Sequence, residues 1–413
     1  MKRAFYVLPV LLLAIFLAWR FIRPLNIFVV DDRFAWPVDT TQAPPVLGAL
    51  SAGDCAVCHP AFHEEWRTTI HSQAWTDPYF QADWQFDESQ HICRLCHTPL
   101  DRQQPHRILG YRDKDKWDPV LVDNADFDPG LQHEGVTCAA CHYREGKIVG
   151  VLGNTDAPHP VKKLEDPNQV CVRCHIVEGD RWDTFFRFPP CGTVAEIRSS
   201  TLNGLTPAES RSMPLDKITG NTGEVTMTDT RSLGCVQCHM PLLERPLVEG
   251  GKVRPTRQHL WRGGHEPAMV RQGLEVRFEE ADKQAGEQQF VLTITNTGAA
   301  HYIPTGTPDR YLSIELRVLD TASRVLKVEK HTIKRTVMWR PFIVDLWDTR
   351  LPRWQPRSYT LSVPEDGQHK PAVVEAVVRY HLLNERRRKR IGYKNSEPIE
   401  FEVFRERLSP GAG

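Results

Sequence analysis

The chain has 413 residues with 52 acidic and 52 basic side chains, so its formal net charge is zero. That balance excludes a general nucleic-acid binder, which carries a basic excess, and the length allows two or three domains. Eleven cysteines would suggest a disulfide framework, but ten of them fall in one repeated pattern.

At the N-terminus, Met1-Lys2-Arg3 precedes an apolar run from Ala4 to Trp19, followed by Arg20 and Arg23. A basic start and an apolar run form an export signal. The run is long for a signal-peptide core, and Arg20 can snorkel so that Phe21 and Ile22 extend it. Residues 1–25 are therefore expected to be an N-terminal transmembrane helix, a membrane anchor rather than a cleaved signal, with Lys2 and Arg3 on the cytoplasmic side. The bulk of the chain is then expected on the periplasmic side of a bacterial cytoplasmic membrane. Residues 26–50 read as a linker, with Pro37, Pro44 and Pro45 and little periodicity.

Residues 51–268 contain five Cys-x-x-Cys-His motifs: Cys55–His59, Cys93–His97, Cys138–His142, Cys171–His175 and Cys235–His239. Two thiols three residues apart lie on one helical turn and can bond the two former vinyl groups of one haem. The pairs are Cys55 and Cys58, Cys93 and Cys96, Cys138 and Cys141, Cys171 and Cys174, and Cys235 and Cys238. The next residue, His59, His97, His142, His175 or His239, then gives its imidazole to the iron. Zinc is the competing reading for Cys-x-x-Cys. Zinc ribbons use such pairs two at a time and need no His directly after them, whereas here the number is odd and the His invariable. The expected cofactors are five covalently bound c-type haems, which suits the expected compartment, since bacteria attach such haems outside the cytoplasmic membrane.

Each iron has a sixth position, and of 17 His only five lie in the motifs. Candidates for distal ligation are His71, one helix-length beyond the first motif, and His133, just before the third. His159 lies between two prolines, and His259 and His265 bracket Trp261-Arg262-Gly263-Gly264. His301 lies further on, in Ala300-His301-Tyr302-Ile303-Pro304. His63, His91 and His106 weigh less, and His331, His369 and His381 least. Trp66, Trp75, Trp84, Trp117, Trp182 and Trp261 are expected to pack on porphyrin faces. Cys191, the odd cysteine, reads either as a small buried hydrophobe or as a reactive thiol or haem ligand.

From residue 269 the pattern changes to strand-like alternation. Runs at Leu274–Glu279, Gln289–Thr297, Tyr311–Asp320, Val325–Val337, Ser358–Val363, Val373–His381 and Ile399–Phe404 are separated by turns such as Asn296-Thr297-Gly298 and Glu365-Asp366-Gly367. Seven short strands suggest an immunoglobulin-like sandwich over residues 269–407, with a tail at 408–413. The basic run Arg386-Arg387-Arg388-Lys389-Arg390 reads as a solvated loop or a docking patch.

The first motif with Phe62, Trp66 and His71, the segment His133-Glu134-Gly135-Val136-Thr137 before the third motif, and Cys238-His239-Met240-Pro241 with His259 and Gly263-Gly264-His265 carry a family resemblance. Over residues 51–268 the chain resembles the multihaem cytochromes that include the tetrahaem electron carrier of hydroxylamine oxidation. The His301-Pro304-Thr305-Gly306 segment resembles β-domains appended to relatives. The resemblance implies bis-His haems in closely stacked pairs, with distal ligands supplied from elsewhere in the chain. A fifth haem and the sandwich are departures. Pentahaem nitrite reductases use Lys in place of one motif His, and no Cys-x-x-Cys-Lys occurs here.

The expected fold is thus multidomain: a loop-rich, mainly α pentahaem domain, an all-β sandwich and an N-terminal transmembrane helix. The expected function is electron relay between a membrane or periplasmic donor and a redox partner protein, alone or as a subunit of a larger redox complex. The alternative is an oxidoreductase acting on a small nitrogen or sulfur compound at one five-coordinate haem.

Overall fold

The computed structural model describes residues 2–22, 26–30, 32, 34–153, 155–175, 183–185, 191–202, 234–284, 286–364 and 372–409. Trp182, His369 and the Glu365-Asp366-Gly367 turn lie outside these. The described chain divides into a loop-rich region with short helices and hairpins, and a β-sandwich.

In the first region every motif overlaps a short helix. These are Ala52–Ala56, Arg94–His97, Cys138–His142, Asn168–His175 and Cys235–His239. Small β-ladders splice them together: β1 (His106–Tyr111) with β2 (Pro119–Asp123), then β3 (Tyr143–Arg144), β4 (Lys147–Gly150) and β5 (Val161–Lys163), a two-residue β6 (Thr184–Phe185), and β7 (Leu242–Pro246) with β8 (Val253–Arg257). Apolar packing is local. One cluster joins Val38, Leu50, Leu100, Leu131, Ala139, Ala140 and Tyr143. Another joins Val30 and Ala35 to Ile92 and Leu95. Residues 26–50 thus wrap against the haem-motif helices, and Trp117 Nε1 donates to the Phe28 carbonyl at 2.7 Å.

The sandwich contains β9 (Leu274–Gln284), β10 (Glu287–Asn296), β11 (Tyr311–Leu319), β12 (Val325–Met338), β13 (Ile343–Asp348), β14 (Arg357–Pro364), β15 (Val373–His381) and β16 (Glu400–Leu408). One sheet runs β14-β10-β9 and the other β16-β15-β11-β12-β13, with β6 added in parallel at its edge. Alternation drives the burial: Leu312, Ile314 and Leu316 point inward on β11 and meet Phe290, Leu292 and Ile294 of β10. The seven strands expected from the alternation are present. The eighth, β13, escaped it because its residues do not alternate in burial, with the adjacent Leu346 and Trp347 both exposed. The basic run is a short helix, Glu385–Arg390, capped by Asn384. Its Arg387 reaches back to Asp83 at 2.6 Å and Asp87 at 3.2 Å in the first region.

A buried network clamps the two regions. Arg350 pairs with Glu196 at 2.5 Å and with Asp348 at 2.8 Å, and Thr305 Oγ1 donates to Glu196 at 2.6 Å. Glu196 belongs to the helix Thr193–Leu202, so that helix is fixed to the sandwich.

The expected N-terminal transmembrane helix, and with it the membrane as a partner through an anchor, is corrected. A helix does form at Lys2–Ile22, but among the described residues no helix is long and apolar enough to cross a membrane. The apolar run of sixteen residues spans about 24 Å at 1.5 Å per residue, against a hydrocarbon core of about 30 Å. Arg20 does not snorkel to extend the run. Its guanidinium is 1 % exposed, pairs with Asp183 at 2.8 Å and donates to the Pro341 carbonyl at 2.9 Å.

Candidate functional site

A haem ligand needs its Nε2 free and its ring held still, which a hydrogen bond from Nδ1 achieves. His59 donates from Nδ1 to the Leu247 carbonyl at 2.8 Å, and His97 to Ala74 at 2.6 Å. His142 donates to Val149 and His239 to Arg262, both at 2.8 Å. Those carbonyls lie outside the motifs, from seven residues away for His142 to 188 for His59, so the backbone between motifs orients the imidazoles. Burial holds the His97 imidazole down to about 4, despite the Ala74 carbonyl that favours its charged form. That keeps it neutral, the form that offers a lone pair.

The structure brings three of the six distal candidates against motif His rings. His239 and His301 have ring centres 6.3 Å apart with planes 13° from parallel. His142 and His259 are 5.8 Å apart at 27°. His71 and His175 are 6.5 Å apart at 71°. With a metal–nitrogen bond of about 2.0 Å and a ring centre about 1 Å behind the nitrogen, two imidazoles on one iron stand about 6 Å apart. The three pairs therefore fit one haem iron each. His301 and His259 also donate from Nδ1, to Tyr302 at 2.8 Å and Arg257 at 3.0 Å. Burial, and then neighbouring His175, His239 and His97, push the His71 imidazole down to about 3.

The other three candidates stand differently. His133 donates from Nδ1 to Pro129 at 2.6 Å and leaves Nε2 free, in a segment tied to the first motif. Glu134 makes that tie, accepting from Ala52 N at 2.8 Å and Thr137 Oγ1 at 2.6 Å. Gly135, at φ +61°, lets Val136 N reach the His71 carbonyl, because a Cβ there would lie 2.9 Å from that oxygen. His159 is half-buried, with Nδ1 3.5 Å from the Pro160 carbonyl. His265 turns Nε2 toward Arg310 Nη2 at 3.3 Å. Among the described residues, the ring against His97 is not an imidazole but Phe80, at 3.6 Å and 8°. His381 is built into the sandwich exterior, between Ser313 Oγ at 2.7 Å and Glu400 at 2.9 Å.

The thiols of different motifs touch. Cys55 meets Cys138, Cys96 meets Cys174, and Cys171 meets Cys235. Cys141 is an electrostatic neighbour of Cys174. Motif one is thus joined to motif three, and motifs two and five are both joined to motif four. Cys191, at φ +60°, neighbours Cys93 and Cys96.

Buried donors without acceptors test whether an anionic, apolar group fits. Arg94 Nη1 and Arg173 Nε, both inside motifs, have none, nor do Arg254 Nε and the Tyr79 hydroxyl. Buried guanidinium groups are rarely left so. The carboxylates of haem propionates are suitable acceptors. The apolar walls are present too: Arg94 is stacked over Trp75 and Trp84, and Trp261 lies 5.0 Å from the His71 ring. The residues fit haem.

Two supporting residues had no sequence signal. Glu65 takes a bidentate Arg245 at 2.7 and 2.8 Å and accepts His259 N at 2.8 Å, fixing that ligand candidate from two distant segments. Arg310 lies in a turn with no motif of its own.

No family model matches the chain, and no curated protein matches it. Among solved structures, the crystal structure of a penta-heme cytochrome c552 from Thermochromatium tepidum matches with a TM-score of 0.58 at 17 % identity, over 87 % of this chain and 98 % of that one. A structural-genomics target, SoR45, covers 34 % of this chain and 87 % of its own at 14 % identity, but its TM-score of 0.16 carries no argument. The chain has the fold of a multihaem c-type cytochrome.

Proposed function

We propose that this protein relays electrons through five covalently attached haems on the extracytoplasmic side of a bacterial membrane. The observation that carries this reading is that thiols of different motifs meet, motif one with three, two with four and four with five. Haem bound at the motifs supplies a one-electron iron couple. The chain's own residues do the rest. Paired Cys fix each group covalently, and His59, His97, His142, His175 and His239 hold it from one side. His71, His259 and His301 hold the fourth, third and fifth from the other side, and His133 is assigned to the first.

Cys58 and Cys238 are exposed, whereas the other motif cysteines are half-buried. The first and fifth motifs are therefore proposed as the points where redox partner proteins deliver and collect electrons. Haem stoichiometry tests the central claim. Five haems per chain are expected, and fewer would break it.

One observation favours a second reading, an oxidoreductase acting on a small nitrogen or sulfur compound. Phe80 stacks on the face of His97, and among the described residues no second imidazole is paired with it, so the second motif is where an iron could keep an open position. A high-spin ferric signal that responds to nitrite, hydroxylamine or sulfite would support it. A wholly low-spin spectrum would remove it.

A further inference from the structure

The seam between the two regions holds a cation with no counter-charge. Arg310 lies just before β11 of the sandwich, yet among the described residues no carboxylate is paired with its guanidinium. Its contacts are all neutral: the Thr305 carbonyl at 3.5 Å, His265 Nε2 at 3.3 Å, and the Tyr380 hydroxyl facing it. The fit is close and depends on two glycines. A Cβ at Gly264 would lie 2.7 Å from the Tyr380 hydroxyl and 3.1 Å from Arg310 Nη1, and one at Gly306 would lie 3.3 Å from Arg310 Nη1. Tyr380 itself is 2 % exposed, so the arrangement is held by the sandwich core.

Half-buried guanidinium groups normally meet a carboxylate, as Arg350 does with Glu196 and Asp348. Arg310's field instead reaches the haem motifs. It helps burial hold His265 down to about 4, it lowers His175, and it opposes the burial that pushes the Cys191 thiol up. Cys191 in turn neighbours both thiols of the second motif.

We propose that Arg310, with His265 and Tyr380, is the seat of one oxyanion group at the haem–sandwich seam. The group is either a haem propionate or a small soluble oxyanion. Both offer the planar or tripod oxygens that a guanidinium fork binds. The appended sandwich then acts on a haem electrostatically as well as by supplying His301. The inference rests on haem being bound at the motifs, and haem stoichiometry reports that separately.

The test is spectroelectrochemical titration of the full haem-loaded chain, wild type against Arg310→Leu, in buffer without small oxyanions and again with sulfite or nitrite. Removing a positive charge favours the oxidised iron. One haem in Arg310→Leu should therefore show an oxidised-to-reduced ratio about tenfold higher at fixed potential, a midpoint about 59 mV lower for one electron. A shift already present without added anion assigns the seat to a propionate. A wild-type midpoint that responds saturably to sulfite or nitrite, with the response lost in Arg310→Leu, assigns it to a soluble oxyanion. Should Arg310→Leu fail to accumulate, Arg310→Gln reads the same change. Five unshifted midpoints and no anion response in either variant would overturn the proposal.

Discussion

The sandwich and the haem region are stabilised by different means. Nineteen buried residues, all between Val270 and Val403, make one continuous core in the sandwich, and alternation along the strands supplies nearly all of them. In the haem region the apolar clusters are small and separate, with seven residues in one and four in another. Its short helices bury little against each other, and among the described residues several of its buried arginine nitrogens have no acceptor. The comparison teaches that a region can be specified by where its backbone must hold a cofactor, with the cofactor's own surface taking the place of a core.

The largest test of that contrast removes the haems altogether. Chain produced without haem attachment should lose residues 51–268 to limited proteolysis while a fragment containing β9–β16 persists. Survival of both regions would break the distinction. Next in size, Ile314→Ala, which truncates a side chain with no exposure, should cost the sandwich about 3 kcal/mol. Denaturant unfolding followed by far-ultraviolet signal reads that loss. The haem absorption bands should be unchanged in native buffer.

His301→Ala sharpens the comparison from the other side, because His301 belongs to the sandwich yet faces His239. The ferric spectrum should gain the high-spin signal of one haem in five. An unaltered spectrum would show that the sandwich contributes no ligand.

The smallest effect concerns the seam. Burial pushes the Asp309 carboxyl up to about 6, with Arg387 opposing and Asp83 and Asp87 adding to the rise. The folded state then holds this proton more tightly than the unfolded one. Its contribution is fully present below about pH 4 and is lost as pH rises to about 6. Asp309→Asn should therefore be more stable than wild type at pH 7, by about 1 kcal/mol, and the gap should close below pH 4. Thermal unfolding across that range measures it.

Local chemistry was legible in the sequence and long-range pairing was not. The five motifs are contiguous pentapeptides, and seven strands announce themselves by period two. β13 did not, because its burial does not alternate: Leu346 and Trp347 are both exposed. Which imidazole stands opposite which depends on tertiary folding: His71 lies 104 positions from His175, and nothing in either segment names the other. The N-terminal helix misled for the same reason. Arg20 reads as the end of a membrane span until Asp183, far along the chain, is seen to neutralise it. Glu65, Arg245 and Arg310 carry no motif, so only their contacts identify them.

The thiol contacts bear on how such a chain could be put together. Motif one meets motif three, and motif two meets motif four. These partners are interleaved, so the first two motifs contain no complete contact between them, whereas motifs four and five do. A nascent chain emerging from its N-terminus would hold its first two haems without neighbours until the third and fourth arrived. Non-local pairing of this kind delays folding. The order of maturation would then be set by the weave of the chain as much as by the machinery that attaches each haem.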